Sequence, residues 1–479
     1  MSKREDAVQW DNIKNEPPEW FLDAKFGLFF HWGPYSVPEY QNEWYSRNMY
    51  DKGSPANLYH VQTYGDVSKF GYKDFYDKMT GSRFEPEDWA DLIEKSGAKY
   101  AGPVTEHADN FSMWDSKVNP VNCMNYGPRR DITGEVADGL RRRGIKVLAT
   151  FHHQWLWGWF MSSDADADVY HPENEIYYGK ALPLETRRYL PYRMPDESFN
   201  RMWEDKVREV IDLYHPDVLY FDSRTCIIDE KNRYGMARYY REHALCRDGV
   251  ITYKQEDLPK GVGVYDIECG HFAKSQPFPW QTDEHLEDKF TWSMVKEPRY
   301  RSARRMIHHL CDVVAKNGNL LLSVGPYADG SIHEEARRIL IEIGQWLSMN
   351  GESIYGTRPY TVAAEGPAEV KDENYDVSKI EDQIVGKETD DIRYAAMSEK
   401  DFRFTKKEGN VYAISMGWPS GGYWEIRTLK LEDKTKMVRQ VTLLGDDRPL
   451  QFWQNAEKLI VKAPVKRPCE HAYALKINF

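Results

Sequence analysis

Short apolar runs that end on a polar side chain recur along most of the sequence. Residues 26–30 (FGLFF) and 218–221 (VLYF) are typical of strands buried on both faces. Between such runs lie segments such as 199–214, whose apolar residues recur at helical spacing. Strand and helix alternate over roughly 350 residues, which predicts an α/β fold with a TIM-type (β/α)8 barrel. An open doubly wound sheet is the alternative, but no glycine-rich phosphate-binding loop follows the first strand.

The pattern changes after residue 360. Residues 363–400 are polar and acidic, which predicts a long surface loop. Apolar and polar residues then alternate, as in an antiparallel β-sandwich with one wet face, over the segments 410–418, 423–431, 437–444, 458–463 and 472–479. We therefore expect a (β/α) barrel of residues 1–358 that carries the site, followed by a C-terminal β-sandwich of residues 359–479.

Composition argues against several classes of partner, and the cysteines and the N-terminus bear on the compartment. The net charge of −12 and the pI near 5.7 speak against nucleic acid and anionic membranes as partners. No apolar run is long enough to cross a bilayer. The six cysteines are scattered and are expected to be free thiols. The N-terminus has no segment of the signal-peptide type, so we expect a cytoplasmic protein if the chain is complete, and a periplasmic or secreted one if a signal was removed.

Chemically active side chains stand where the predicted strands end. The carboxyl ends of parallel strands meet at one mouth of a barrel, so these groups should converge there. Two carboxylates among His, Trp and Tyr side chains suit glycoside hydrolysis, in which one attacks the anomeric carbon and the other protonates the leaving oxygen. The mouth is expected to keep Asp222 ionised and Glu268 partly protonated near neutral pH. The strand-end groups are His31, His107, His152, His153, Asp222, Lys254 and Glu268.

Each of these residues also has a purely structural interpretation. Asp222 can cap the turn after its strand, and single histidines at strand ends often only hydrogen-bond the fold. His152 and His153 are adjacent, so they point to opposite sides of a strand and form a poor chelate. A metal-dependent barrel hydrolase would need two histidines at alternate positions of one strand, but His107 is followed by Ala108 and an acid. We therefore expect no metal and no cofactor, with a metal hydrolase as the weaker alternative.

Several long motifs resemble those of the α-L-fucosidases of glycoside hydrolase family 29. The resemblance runs over nearly the whole chain, with the motifs in the family's order. The motifs are 20–33 (WFLDAKFGLFFHWG), 42–45 (NEWY), 111–116 (FSMWDS), 127–131 (GPRRD), 216–222 (PDVLYFD), 279–283 (PWQTD), 316–322 (KNGNLLL), 351–359 (GESIYGTRP), 404–407 (FTKK) and 411–413 (VYA).

The resemblance implies a barrel with a C-terminal β-sandwich and a retaining double displacement without metal. Asp222 resembles the family's nucleophile, and Glu268, in 265–268 (YDIE), resembles the general acid/base of one branch of the family. The implied ligand is a small molecule or oligosaccharide with a terminal α-L-sugar. His31, Glu43, Trp44 and His107 match sugar-binding positions, Tyr220 stands where a Trp is usual, and His152, Lys254 and Trp292 are further candidates for substrate binding.

Three departures from the family's motifs predict a modified sugar pocket. A usual His is Ala108, a usual Arg is Lys254, and a usual Tyr-Tyr-Ser run reads Phe151-His152-His153. Loss of a buried hydrogen-bond partner costs about 1–3 kcal/mol, enough to change the preference between epimers. We expect L-fucose as the sugar, with L-galactose and L-glucose as alternatives. A carbohydrate-binding protein that has lost catalysis is a further alternative, and the oligomeric state stays open.

Overall fold

Eight parallel strands close into a barrel in this computed structural model, which describes residues 8–182, 193–368, 384–386, 393–446 and 448–479. Each barrel strand pairs with the next along the chain, and β9 closes the barrel on β1. The short strand β7, Gly270–Phe272, lies outside the barrel. The predicted barrel is therefore confirmed. Its strands are β1 Phe26–Phe30, β2 Tyr100–Glu106, β3 Lys146–Phe151, β4 Val218–Phe221, β5 Val250–Lys254, β6 Val264–Glu268, β8 Trp280–His285 and β9 Gly318–Val324.

Helices cover the outside of the barrel between most of its strands. Asp196 accepts a hydrogen bond from the Phe199 amide, 3.0 Å from Oδ1, and so begins α7. Gly97, at φ 86°, ends α4 in the left-handed conformation that glycine adopts at least cost. The α-helices are α1 Glu19–Ala24, α2 Tyr45–Asn48, α3 Pro55–Thr63, α4 Pro86–Ser96, α5 Ile132–Arg142, α6 Glu175–Tyr178, α7 Glu197–Tyr214, α8 Glu230–Glu242, α9 Ala303–Ala315 and α10 Glu334–Asn350. In the part of the chain described here, no helix is both long and apolar enough to span a membrane.

The C-terminal part is a sandwich of two antiparallel sheets, as predicted. Apolar residues from both sheets, among them Phe404, Trp424, Val461 and Leu475, form one buried core between them. The five-stranded sheet has the order β10 Arg358–Glu365, β12 Phe402–Lys407, β13 Asn410–Ser415, β18 Tyr473–Asn478 and β15 Gln440–Leu443. The three-stranded sheet has the order β14 Tyr423–Ile426, β17 Leu459–Lys462 and β16 Phe452–Gln454. The division between residues 358 and 359 stays a prediction.

The predicted surface loop at 363–400 is wrong for three of its described segments, one of which is a helical turn at residues 393–396. Strand β10 continues to Glu365. Strand β11, Ile384–Gly386, pairs antiparallel with β7, with Val385 opposite His271. Strand β11 has only three residues, too few to show a periodic pattern within the polar sequence around it. Residues 369–383 and 387–392 lie outside the described part of the chain.

A buried carboxylate on α9 links the barrel to the sandwich. Asp312 Oδ2 accepts hydrogen bonds from Lys316 Nζ at 2.9 Å and from Arg393 Nη2 at 2.8 Å. Asp312 Oδ1 accepts from Arg403 Nε on β12. Asp312 and Arg403 are fully buried. One carboxylate therefore compensates several buried cations, and its removal would leave them without that compensation.

Replacing Asp312 by Asn is expected to destabilise the protein by about 3–5 kcal/mol, because buried cations would lose their counter-charge. The measurement is the urea or thermal unfolding midpoint, followed by circular dichroism. The matched control is Asp138→Asn, which changes an exposed acid on α5 and should leave the midpoint unchanged within error. Equal midpoints for the two variants would contradict this role for Asp312.

Candidate active site

A cavity of about 520 Å³ opens at the carboxyl ends of the barrel strands. All ten residues that the sequence singled out as catalytic or substrate-binding line it: His31, Glu43, Trp44, His107, His152, Tyr220, Asp222, Lys254, Glu268 and Trp292. They come from the ends of six barrel strands, β1 to β6, and from loops above them. The predicted convergence of these side chains at one mouth is therefore observed, whereas their chemical roles stay predictions.

The main chain around Asp222 is held on several sides. Its amide donates to the Phe151 carbonyl at 3.0 Å, and its carbonyl accepts from Gln154 Nε2 at 2.7 Å and Thr225 Oγ1 at 3.1 Å. The turn that follows places Arg224 at φ 76°, a left-handed conformation that costs a non-glycine residue roughly 1–2 kcal/mol. The strand and this turn fix the position from which the Asp222 carboxyl faces the cavity.

Asp222 and Glu268 influence each other electrostatically across the cavity. Glu268 is the last residue of β6, and its side chain is 42% exposed. Burial and, next in size, the charge of Glu268 raise the pKa of Asp222 to about 8, while Lys254 acts in the opposite direction. This raised pKa runs against the expectation that Asp222 is ionised at neutral pH.

Lys254 lies below the two carboxyls in a fixed ion-pair network. Its Nζ donates to Asp283 Oδ1 at 2.7 Å and to Asp266 Oδ1 at 2.9 Å, and it lies 3.9 Å from Glu268 Oε2. Tyr220 donates its hydroxyl to Asp283 Oδ2 at 2.9 Å. Burial opposes the charge on Lys254, but the two aspartates outweigh it and hold the pKa of Lys254 well above its usual value. Lys254 is thus a permanent cation beside Asp222.

Three buried histidines form one side of the cavity. The His107 and His152 rings are stacked with 4.7 Å between their centroids, and His31 lies 5.5 Å from His152. His31 Nδ1 is 2.8 Å from Ser323 Oγ on β9. Burial lowers the pKa of His31 and His152 well below the usual value, and that of His107 to about 3. The three imidazoles are therefore neutral at physiological pH.

Aromatic side chains and Glu43 form a further part of the wall, where Trp292 packs beside His31 with 5.2 Å between the ring centroids. The Trp292 amide donates to Glu43 Oε2 at 3.1 Å, which joins the loop before α2 to the loop after β8. Burial raises the pKa of Glu43 to about 7. Trp44 packs against Trp155, with ring centroids 5.5 Å apart. A flat apolar wall beside polar groups is suited to a sugar ring, which has apolar faces and polar edges.

Two of the three departures from the family motifs reach the cavity. Lys254 and His152 line it, whereas Ala108 is buried and is not part of the lining. His153 points away from the cavity, with Nε2 3.2 Å from the Trp203 carbonyl oxygen on α7, as expected for adjacent residues of a strand.

Trp155, Asp266 and Asp283 also line the cavity and were not predicted. Asp266 stands two residues before Glu268 on β6, so strand alternation places both on the same face. That spacing was a usable signal in the sequence. Trp155 follows His152 in a short helical turn, and no local pattern in the sequence points to it.

Comparison with known proteins identifies the family of the chain. A family model described as alpha-L-fucosidase matches residues 2–352, and a second, described as the alpha-L-fucosidase C-terminal domain, matches residues 395–478. The chain belongs to the alpha-L-fucosidase family. It is therefore a glycoside hydrolase, and the family that the sequence motifs suggested is confirmed.

Individual members of the alpha-L-fucosidase family align over most of the chain. The tissue alpha-L-fucosidase of Homo sapiens is 27% identical over 486 residues, covering 98% of this chain and 91% of that protein. The alpha-L-fucosidase of Dictyostelium discoideum is 30% identical over 373 residues, covering 74% and 75%. The crystal structure of Thermotoga maritima alpha-fucosidase in complex with fucose superposes with a TM-score of 0.73 at 25% identity, covering 99% of this chain and all of that one.

The electrostatic link between the two carboxyls predicts a pH effect. An acid with a raised pKa keeps its proton to higher pH, so a rate that needs ionised Asp222 should rise as the pH approaches 8. Glu268→Gln removes the repelling charge, lowers the pKa of Asp222 and should move this rise to lower pH. The measurement is the pH dependence of kcat/KM on a nitrophenyl glycoside, whose leaving group needs no protonation.

The matched control for this pH experiment is Glu94→Gln, which changes an exposed acid on α4 and should keep the wild-type profile. An acidic limb that is identical in Glu268→Gln and wild type would contradict the coupling between Asp222 and Glu268.

Proposed function

We propose that this protein hydrolyses terminal α-L-fucosides by double displacement with retention of the anomeric configuration. Asp222 is the nucleophile and Glu268 the general acid/base. The observation that carries the proposal is that Asp222, after β4, and Glu268, at the end of β6, line the same cavity at the carboxyl ends of the barrel strands. The charge of Glu268 also raises the pKa of Asp222. Two carboxyls that face one sugar-binding cavity support a retaining glycosidase, which uses such a pair.

In the first step an Asp222 oxygen attacks the anomeric carbon, and the bond from that carbon to the leaving oxygen breaks. Glu268 gives its proton to the leaving oxygen. In the second step Glu268 takes a proton from water, the water oxygen attacks the anomeric carbon, and the bond to Asp222 breaks. The first step therefore needs Glu268 protonated, and the second needs it ionised.

The other lining residues have roles that follow from their charge and geometry. Lys254 stays charged and stabilises the ionised form of Asp222, because it is among the groups that lower the pKa of Asp222. The neutral imidazoles of His31, His107 and His152 offer both donors and acceptors to sugar hydroxyls. Trp44 and Trp292 provide apolar surface for the sugar ring and its C6 methyl group.

The test is the hydrolysis of a panel of nitrophenyl α-L-glycosides with fuco, galacto, gluco and rhamno configuration. We expect the fucoside to have the highest kcat/KM. Substrates whose extra C6 hydroxyl meets the apolar wall should lose roughly 1–3 kcal/mol of transition-state binding, or about 10–200-fold. A preference for the galactoside or the glucoside would show that this sugar, and not fucose, is the preferred substrate. Binding without turnover of any of the four would support the carbohydrate-binding alternative and overturn the enzymatic proposal.

A further inference from the structure

His31, His107 and His152 form a cluster that hydrogen bonding to a sugar alone does not require. They follow β1, β2 and β3, three neighbouring strands of the barrel. One ligand-capable atom from each lies within 4.8 Å of those of the other two. Around a tetrahedral ion with nitrogens at about 2.1 Å, the nitrogens are roughly 3.4 Å apart, so small side-chain rotations suffice to close the set.

The hydrogen bonds of the three rings leave nitrogens available for a ligand. His31 Nδ1 is paired with Ser323 Oγ at 2.8 Å, which leaves Nε2 for the cluster. Metal-binding histidines typically have such a partner on the other ring nitrogen. His107 Nδ1 and His152 Nδ1 are buried and have no hydrogen-bond partner among the described residues. Because buried polar atoms are normally paired, these two nitrogens point to a ligand.

The chemistry of the ligand atoms points to one class of cation. Nitrogen ligands select Zn²⁺, Co²⁺ and related ions over Mg²⁺ and Ca²⁺, which prefer oxygen.

We propose that His31, His107 and His152 form a three-histidine site for a divalent transition-metal ion such as Zn²⁺, and that the bound ion excludes the sugar from the cavity. The competition rests on the proposed function, in which the same imidazoles contact sugar hydroxyls. A nitrogen that coordinates the ion cannot also hydrogen-bond the sugar, so the metal-loaded form is inactive. The three ligands follow three different strands, so the site needs His152 but not its neighbour His153.

The test combines direct metal binding with inhibition. Protein freed of metal with EDTA is titrated with Co²⁺, and visible absorption reports a nitrogen-bound ion that Zn²⁺ then displaces. We expect Zn²⁺ to inhibit hydrolysis of the nitrophenyl fucoside competitively. L-Fucose should weaken Co²⁺ binding by the same competition. EDTA should leave activity unchanged or raise it.

The variants His152→Phe and His107→Phe each remove one ligand and keep an aromatic ring. Each should weaken Co²⁺ binding at least about tenfold. His152→Gln, which is polar, serves as a second variant, and circular dichroism shows whether each protein is folded. The matched control is His243→Asn, which takes a ligand from the separate group His215, His243 and Cys246 and should leave Zn²⁺ inhibition unchanged.

The outcomes separate the metal site from the enzymatic proposal. The metal site would be overturned if the wild-type enzyme is active and Co²⁺ binds with the same affinity to wild type and to both Phe variants. Noncompetitive inhibition, or activity lost on EDTA treatment, would overturn the competition with sugar. A protein that binds Co²⁺ through His152 but hydrolyses no glycoside would overturn the enzymatic proposal and leave the metal site standing.

Discussion

Asp222→Gly should lower kcat on α-L-fucosides by about 10⁴-fold or more, the size of effect seen when a nucleophile is removed. The variant keeps the cavity and the acid Glu268 but has no group to attack the anomeric carbon. Azide can enter the space left by the carboxylate and attack from the same side. It should partly restore turnover and yield the β-L-fucosyl azide, with the anomeric configuration inverted in a single displacement.

The matched control is Asp205→Ala, which removes an exposed acid from α7 and should retain wild-type turnover. Folding is checked with Asp222→Asn. The pKa of Asp222 is raised in the fold, so its ionisation costs stability as the pH rises from about 4 towards 8, and the neutral amide should not lower the unfolding midpoint at pH 8. Near-normal turnover of a folded Asp222→Gly protein would refute the nucleophile assignment.

Glu268→Ala should have an effect that depends on the leaving group. For a fucosyl disaccharide, whose alkoxide leaves poorly, we expect kcat/KM to fall by about 10²–10⁴-fold, the usual contribution of a general acid. For a dinitrophenyl fucoside the first step needs no proton, so kcat/KM should fall much less than for the disaccharide. Azide should accelerate the second step and yield the α-L-fucosyl azide, with net retention.

Opposite anomers of the azide product therefore distinguish the two carboxyls: β from Asp222→Gly and α from Glu268→Ala. Glu94→Ala, at an exposed position on α4, is the control and should hydrolyse both substrates with the kcat/KM of the wild type. An equal loss on the disaccharide and on the dinitrophenyl fucoside would show that Glu268 does not act as the acid, and the group would have to be sought elsewhere in the cavity.

The barrel was predictable where its strands are apolar and not where they are polar. The run at 218–221 identified β4 because both faces of that strand are buried. Strand β8 reads WQTDEH and was not predicted, although all six of its residues are buried. Its polar side chains are satisfied inside the barrel, where Gln281 donates to Asp266 and Asp283 accepts from Lys254. A single sequence shows polar residues but does not show that they are partners of one another.

The same distinction holds at the candidate site. Positions at strand ends, such as Asp222, are fixed by topology once a parallel barrel is assumed. The sequence alone therefore predicted that they lie close together. The raised pKa of Asp222 depends on burial and on Glu268, which is distant in sequence. The grouping of His31 with His107 and His152 depends on three rings meeting across strands. Neither property is encoded in a local pattern.

Covalent trapping tests the assignment of Asp222 directly. A 2-fluoro-L-fucosyl fluoride has a good leaving group and a fluorine that slows the second step, so the glycosyl-enzyme should accumulate. Cleavage after Arg208 and Arg224 releases the peptide 209–224, which contains Glu209, Asp212, Asp217 and Asp222. Fragmentation by mass spectrometry should locate the sugar on Asp222. A label on any other residue, or a product with inverted configuration at the anomeric carbon, would contradict the mechanism proposed for this protein.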